Sequence, residues 1–190
     1  MLRLMTFNQL CLVVNRRKLL QKSLLIGMVG AVGGSGYWMM NGRELSQLTI
    51  EQATIDLQTL YLLPIESAEG WNLSQIFNHL AQSIEYSMEG YPQHKSNRFK
   101  STVGQAVFSV FSYRGQMNHD LLEPIPGAPI LEADNKLLAF SRLLNALNDF
   151  KVFRGALKPH FAYGELSHQQ YTLAHVMHIN NHLEPLMSGL

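Results

Sequence analysis

Apolar residues in this chain recur at every third or fourth position over long stretches, and no two alternating segments stand ready to pair as strands. A helical apolar stripe must be buried against another helix or a sheet, so this periodicity commits the chain to helices packed on helices. The strongest segment is "EADNKLLAFSRLLNALNDF", residues 132–150, with Leu137, Phe140, Leu144 and Leu147 on one stripe. "LTIEQATIDLQTLYLL" predicts a first helix, N-capped by Thr49 and ended by Pro64, with Ile50, Ile55, Leu57, Leu60 and Tyr61 inward. "NLSQIFNHLAQSIEYSM" predicts a second, carrying Ile76, Phe77, Leu80 and Ile84 at helical spacing and closed by Gly90 and Pro92. "KSTVGQAVFSVFSYRG" is rich in Val, which suits strands, but its spacing still favours a helix. Three prolines make "EPIPGAP" neither helix nor central strand, so it reads as a rigid surface connection. "LSHQQYTLAHVMHINNHLEPL" predicts a last helix from the N-cap Ser167 to Pro185. Five helical segments give an all-α bundle spanning residues 43–187.

The charge is unevenly spread. Residues 1–22 carry Arg3, Arg16, Arg17, Lys18 and Lys22 and no acid, while all 14 acids lie at Glu44 or beyond. From Arg43 onward the balance is mildly acidic, which excludes the basic face that nucleic-acid binding requires. "NRRKLLQKSLLIGMVGAVGGSG" joins a basic stretch to a short, glycine-interrupted apolar run, the pattern of an export signal occupying residues 1–40. The run is shorter than the ~20 apolar residues of a transmembrane helix. Arg16-Arg17 followed by Leu19-Leu20 resembles the twin-arginine export motif, with Asn15, Leu19 and Gln21 departing from its usual Ser/Thr, Phe and Lys. That resemblance implies the twin-arginine translocase as a partner and the periplasm as the destination. No A-x-A site follows Val32, so the expectation covers both a cleaved signal and a retained inner-membrane anchor.

Five of the eight histidines fall within the last 31 residues. His178 and His182 are one turn apart on the last helix, and His175 lies within about 60° of the same face. Such spacing offers several metal-ligand pairs: His178 with His182, His175 with His178, or all three. A third ligand from elsewhere is best supplied by His79, beside Ile76, Phe77 and Leu80 on the second helix. Buried neutral imidazoles without partners cost ~1–3 kcal/mol each, and a shared divalent ion removes that cost. The competing expectation is a structural bundle whose histidines are hydrogen-bonded in its core. His94 and His168 read as solvated, as does the acid pair Glu85 and Glu89. His160 and His119 lie in loops near aromatic or charged neighbours and become candidate substrate groups. The single cysteine, Cys11, lies in the export segment, and no phosphate-loop, dinucleotide or nucleophile-elbow motif occurs in the chain.

An inward His on the second helix with His-x-x-x-His on the last resembles the DinB/YfiT-like superfamily of metalloenzymes. "SYRGQMNHDLLEPIPGAP", "KPHFAYGELSHQQYTLAHVMHINNHL" and "WNLSQIFNHLAQSIEY" look like one of its domain-of-unknown-function families, over residues 45–185. The resemblance implies a four-helix bundle with a long crossover, holding one divalent ion (Zn, Ni or Fe) on His79, His178 and His182. His175 then becomes a neighbour of the site. Asn181 stands where that pattern often has His. His160, Tyr163, Arg114 and His119 are the remaining candidates for contact with a small-molecule or thiol substrate. Metal-dependent hydrolysis and thiol-dependent transfer are the implied reactions, with non-catalytic metal binding or sensing as the alternative and a homodimer as a candidate assembly.

Overall fold

The computed structural model describes residues 43–65, 70–133 and 135–188, which belong to one compact unit, Gly42–Leu190. The export segment expected at residues 1–40 lies outside the described residues. Five helices follow a short 3-10 turn at Leu45–Gln47: α1 (Ile50–Leu62), α2 (Leu73–Glu89), α3 (Gln105–Arg114), α4 (Lys136–Val152) and α5 (His168–Met187). Among the described residues there is no strand, only an isolated bridge between His160 and Gly164. The fold is all-α, as the periodicity requires.

The helix starts are written in the sequence. Thr49 caps α1 by accepting from the Gln52 amide. Asn72 with Gln75, and Ser167 with Gln170, form reciprocal capping boxes on α2 and α5, each satisfying two otherwise orphaned backbone donors. Gln75 also donates to the Leu131 carbonyl at 2.7 Å, tying the start of α2 to the chain that leads into α4.

Helix α2 packs most extensively on α4, and α1 and α5 each contact α2 or α4 as well as one another. The contacting pairs α2–α4, α4–α1, α1–α5 and α5–α2 close a ring of four helices around one core. Leu57, Leu60, Phe77, Leu80, Leu143, Leu147, Phe150, Tyr171 and Ile179 fill it. The connection from α2 to α4 spans residues 90–135 and carries α3, which makes it a long crossover. Across the α2–α4 interface, Arg142 of α4 donates to Glu85 of α2 at 2.9 and 2.6 Å and to Asn78 at 2.9 Å. Glu85 is therefore an ion-paired clamp, not the freely solvated acid its spacing suggested.

Several expected positions differ. Ile55 and Leu137 are exposed, because α1 and α4 bury narrower faces than their apolar spacing suggests; on α4 the core is Ala139, Phe140, Leu143, Ala146, Leu147 and Phe150. Leu143 replaces the half-buried Leu144 at the centre of that stripe. Helix α5 runs two residues past Pro185, whose ring sits in the final turn. His168 is half-buried rather than solvated: its ring stacks on Phe150 at 4.4 Å and its Nε2 donates to the Phe150 carbonyl at 3.0 Å.

Helical structure before α3 begins earlier than expected, at Asn97–Phe99, and passes through a π-helical stretch at Lys100–Gly104. At its end the chain segment 160–164 crosses directly over the helix. A Cβ on Gly104 would lie 2.0 Å from the Ala162 carbonyl oxygen, so only glycine admits this crossing. Gln105 then hydrogen-bonds the Tyr163 carbonyl, and the Lys95 amide donates to the Phe161 carbonyl at 2.9 Å. A Gly104→Ala substitution should destabilise the protein by about 1–3 kcal/mol, as overpacking does elsewhere. Urea unfolding monitored by circular dichroism measures this, and an unchanged midpoint would contradict the close crossing.

Candidate metal centre

Helix α2 presents His79, and α5 presents His175, His178 and His182, where the two helices pack together. One ring nitrogen from each of His79, His178 and His182 can be chosen so that all three lie within 4.8 Å of one another. His79 Nε2 and His178 Nε2 stand 3.2 Å apart. Two imidazole nitrogens bound tetrahedrally to one ion at ~2.0–2.1 Å would be separated by about 3.3 Å, so the observed spacing fits a shared ion. Ring centroids of the three are 5.0, 5.1 and 5.0 Å apart, and the rings meet edge to face. His79 and His182 are almost wholly buried, while His178 keeps an edge on the adjoining cavity.

Two polar atoms of the cluster, His79 Nδ1 and His182 Nε2, are buried and make no hydrogen bond. The cluster is thus short of partners in a way that a cation accepting the nitrogen lone pairs would relieve at His182. Charge points the same way. Burial first, then the nearby His119, lowers the His79 pKa to about 4. Burial, then His79 and His119, lowers that of His182 to about 3. His178 is pushed well below its ordinary value by burial and by the surrounding histidines. All three are neutral at pH 7, the form in which imidazole binds metal.

The remaining candidates fall into two groups. His119, His160, Tyr163 and His175 line the same cavity, which is partly open to solvent. His175 is held out of the triad, since its Nε2 donates to Ser87 Oγ at 3.2 Å and its ring lies between Phe150 and Tyr171. His160 Nδ1 accepts the amides of Ala162 and Tyr163, both at 3.2 Å, so its proton resides on Nε2. Its ring stacks on Tyr163 at 4.3 Å. Burial lowers the His160 and His175 pKa values to about 3 and raises that of Tyr163 to about 12. Arg114 and Asn181 form the second group, for neither lines the cavity. The buried guanidinium of Arg114 bonds Gln116 at 3.2 Å, and Asn181 is half-buried with its Nδ2 unpartnered.

Two contributions escape sequence reasoning, and a third is closer to the triad than the sequence indicates. Trp71 stacks its ring parallel to His182 at 6.5 Å and lies 4.9 Å from His79, roofing the triad from the residue before the α2 cap. The proline-rich connection is more than a surface strap: Ile125 is buried, and Pro124, Ile125 and Pro126 wall the cavity. His119, expected as a candidate substrate group, places its ring 4.9 and 5.2 Å from those of His178 and His182. Only the last carried any sequence signal, its residue type.

The buried neutral histidines make stability depend on pH with a definite sign. Their folded pKa values, about 4 for His79 and about 3 for His160, His175 and His182, lie below the ~6.5 of an unfolded histidine. Below pH 6.5 the unfolded chain binds more protons, so stability is complete above that pH and falls as the pH drops toward the folded values. Each histidine contributes up to about 1.4 kcal/mol per pH unit. The melting temperature of metal-free protein should fall steeply between pH 6.5 and 5; a flat profile would refute the buried neutral cluster.

Residues 39–188 match the model of a family described as a protein of unknown function (DUF1569). No curated protein and no solved structure matches the chain.

Proposed function

We propose, for a chain that belongs to the DUF1569 family, that it binds one divalent metal ion on His79, His178 and His182 and acts through it on a small molecule. The observation that carries this reading is the convergence of three neutral nitrogens, within 4.8 Å, from two packed helices. Imidazole donors suit Zn, Ni and Fe alike. When bound, such an ion supplies a Lewis acid that polarises a substrate oxygen or lowers the pKa of a water or thiol.

The chain's own residues shape what reaches it. The cavity beside His79 and His178 is walled mainly by apolar groups, including Met117, Ile125, Phe161 and Ala174. They favour a ligand with an apolar body. His160 and Tyr163 supply the polar groups of one wall, and Glu123 lies on the cavity lining where no Lys or Arg does. This composition disfavours a polyanionic substrate and is compatible with hydrolysis or with transfer from a low-molecular-weight thiol. Membership of the DinB/YfiT-like superfamily is part of the same proposal, supported by the ring of four helices, the long crossover and the placement of the three histidines.

Elemental analysis of full-length protein, purified without a polyhistidine tag, tests the metal. About one equivalent is expected per chain, as for other dedicated sites, with loss in His178→Ala. Wild-type protein that holds no metal even after incubation with Zn, Ni and Fe would overturn the reading.

Export through the twin-arginine translocase to the periplasm remains part of the proposal, resting on Arg16-Arg17 and the apolar run behind them. Replacing both arginines with lysine should leave the protein in the cytoplasm when cells are fractionated. Unchanged periplasmic delivery would count against a twin-arginine route.

A further inference from the structure

His119 is the one histidine of the cluster that no helix carries. It follows the C-cap of α3, where Gly115 turns the chain with φ of 64°, and precedes the proline-rich connection. Its Nδ1 lies 2.7 Å from the Asp120 carbonyl oxygen. A carbonyl only accepts, so Nδ1 carries the proton and Nε2 presents a lone pair. That Nε2 is buried and has no hydrogen-bond partner. A metal-binding histidine usually donates its second ring N–H to a carbonyl or carboxylate, and His119 already has that arrangement. By contrast, His79 Nδ1 lacks any such partner.

The rings of His119 and of the triad are spaced alike. His119 lies 4.9 Å from His178 and 5.2 Å from His182, against 5.0–5.1 Å within the triad. Its nitrogen nevertheless stands outside the set whose members lie within 4.8 Å of one another. Bringing it onto a shared ion takes a shift of the loop, with the helices left in place. The same loop is secured by the buried Met117 and by a turn in which Asp120 accepts the amides of Leu122 and Glu123. Met117, Glu123, Pro124, Ile125 and Pro126 from this segment also wall the cavity.

Resting on the metal reading above, we infer that His119 is a fourth, loop-borne nitrogen ligand whose coordination fastens the cavity wall to the bundle. The three helical histidines hold the ion, and the fourth, carried by a loop rather than a helix, is the one an incoming ligand displaces. Such a site has its coordination positions filled by imidazoles at rest and opens one by release of His119. Metal occupancy and the shape of the cavity are thereby coupled, because one segment supplies both the ligand and the wall.

Co(II) titration of metal-free, full-length protein tests this, comparing wild type with His119→Ala, His119→Gln and His178→Ala. Visible absorption reports coordination number and geometry, a competing chelator reports affinity, and hydrogen exchange reports protection of residues 116–126. Both His119 variants should bind Co(II) more weakly, on the order of 10–100-fold, a range that loss of even an outer partner reaches. Their spectra should change, and Co(II) should slow exchange over 116–126 in wild type alone. Wild-type affinity, spectrum and loop protection in both His119 variants, with binding abolished in His178→Ala, would overturn the His119 assignment while leaving the triad. Failure of wild type to bind Co(II) would overturn both.

Discussion

Placing uncharged imidazoles between packed helices is the constraint on which the rest of this structure depends. Each of His79, His178 and His182 is removed from water, and burial holds each in its neutral form. Desolvation of that kind is unfavourable unless the surrounding packing is stable enough to impose it. Here the stability comes from the closed ring of α1, α5, α2 and α4, whose core includes Leu57, Phe77, Leu143 and Phe150, all essentially inaccessible to solvent. The bundle does not merely carry the site; it forces nitrogen lone pairs toward one another at a separation suited to an ion.

The crossover provides the other half of the architecture. It leaves the bundle after α2, supplies α3, and returns through a proline-rich wall before α4. The crossover and the connection from α4 to α5 are placed by backbone contacts that side-chain chemistry alone would not suggest. Gly104 admits the Ala162 carbonyl, and the Lys158 amide donates to the Ser87 carbonyl at 2.8 Å. Tyr171 on α5 donates to the Lys158 carbonyl at 2.7 Å, linking the segment before the 160–164 turn to the last helix. These bonds seat the stacked His160 and Tyr163 on the cavity that His79 and His178 also line. Rigid helices thus position the three histidines, while turns and a proline connection shape access to them, a division of labour common to sites built on scaffolds.

Much of this was legible from residue spacing because spacing reports local geometry. One helical turn brings His178 and His182 onto one face whatever the fold, and the caps at Thr49 and Ser167 act within a single turn. Periodicity was less reliable in assigning burial. Ile55 and Leu137 continue apolar patterns yet face outward, because the width of a buried face depends on which helix lies against it. Arg114 and His119 show the same limit for the site. Both lie close together in the chain, but only the histidine reaches the cavity.

By itself, then, the sequence determined the all-α class, the starts of α1 and α5 and the pairing of His178 with His182, since all of these follow from interactions between residues a few positions apart. Tertiary structure decided that His79 meets that pair across an interval of 99 residues, that His175 turns away to Ser87, and that Trp71 and His119 close around the cluster. Those contacts depend on the angles and offsets at which helices pack and on where a long connection crosses them. No local pattern encodes these quantities, because they are set by the core as a whole.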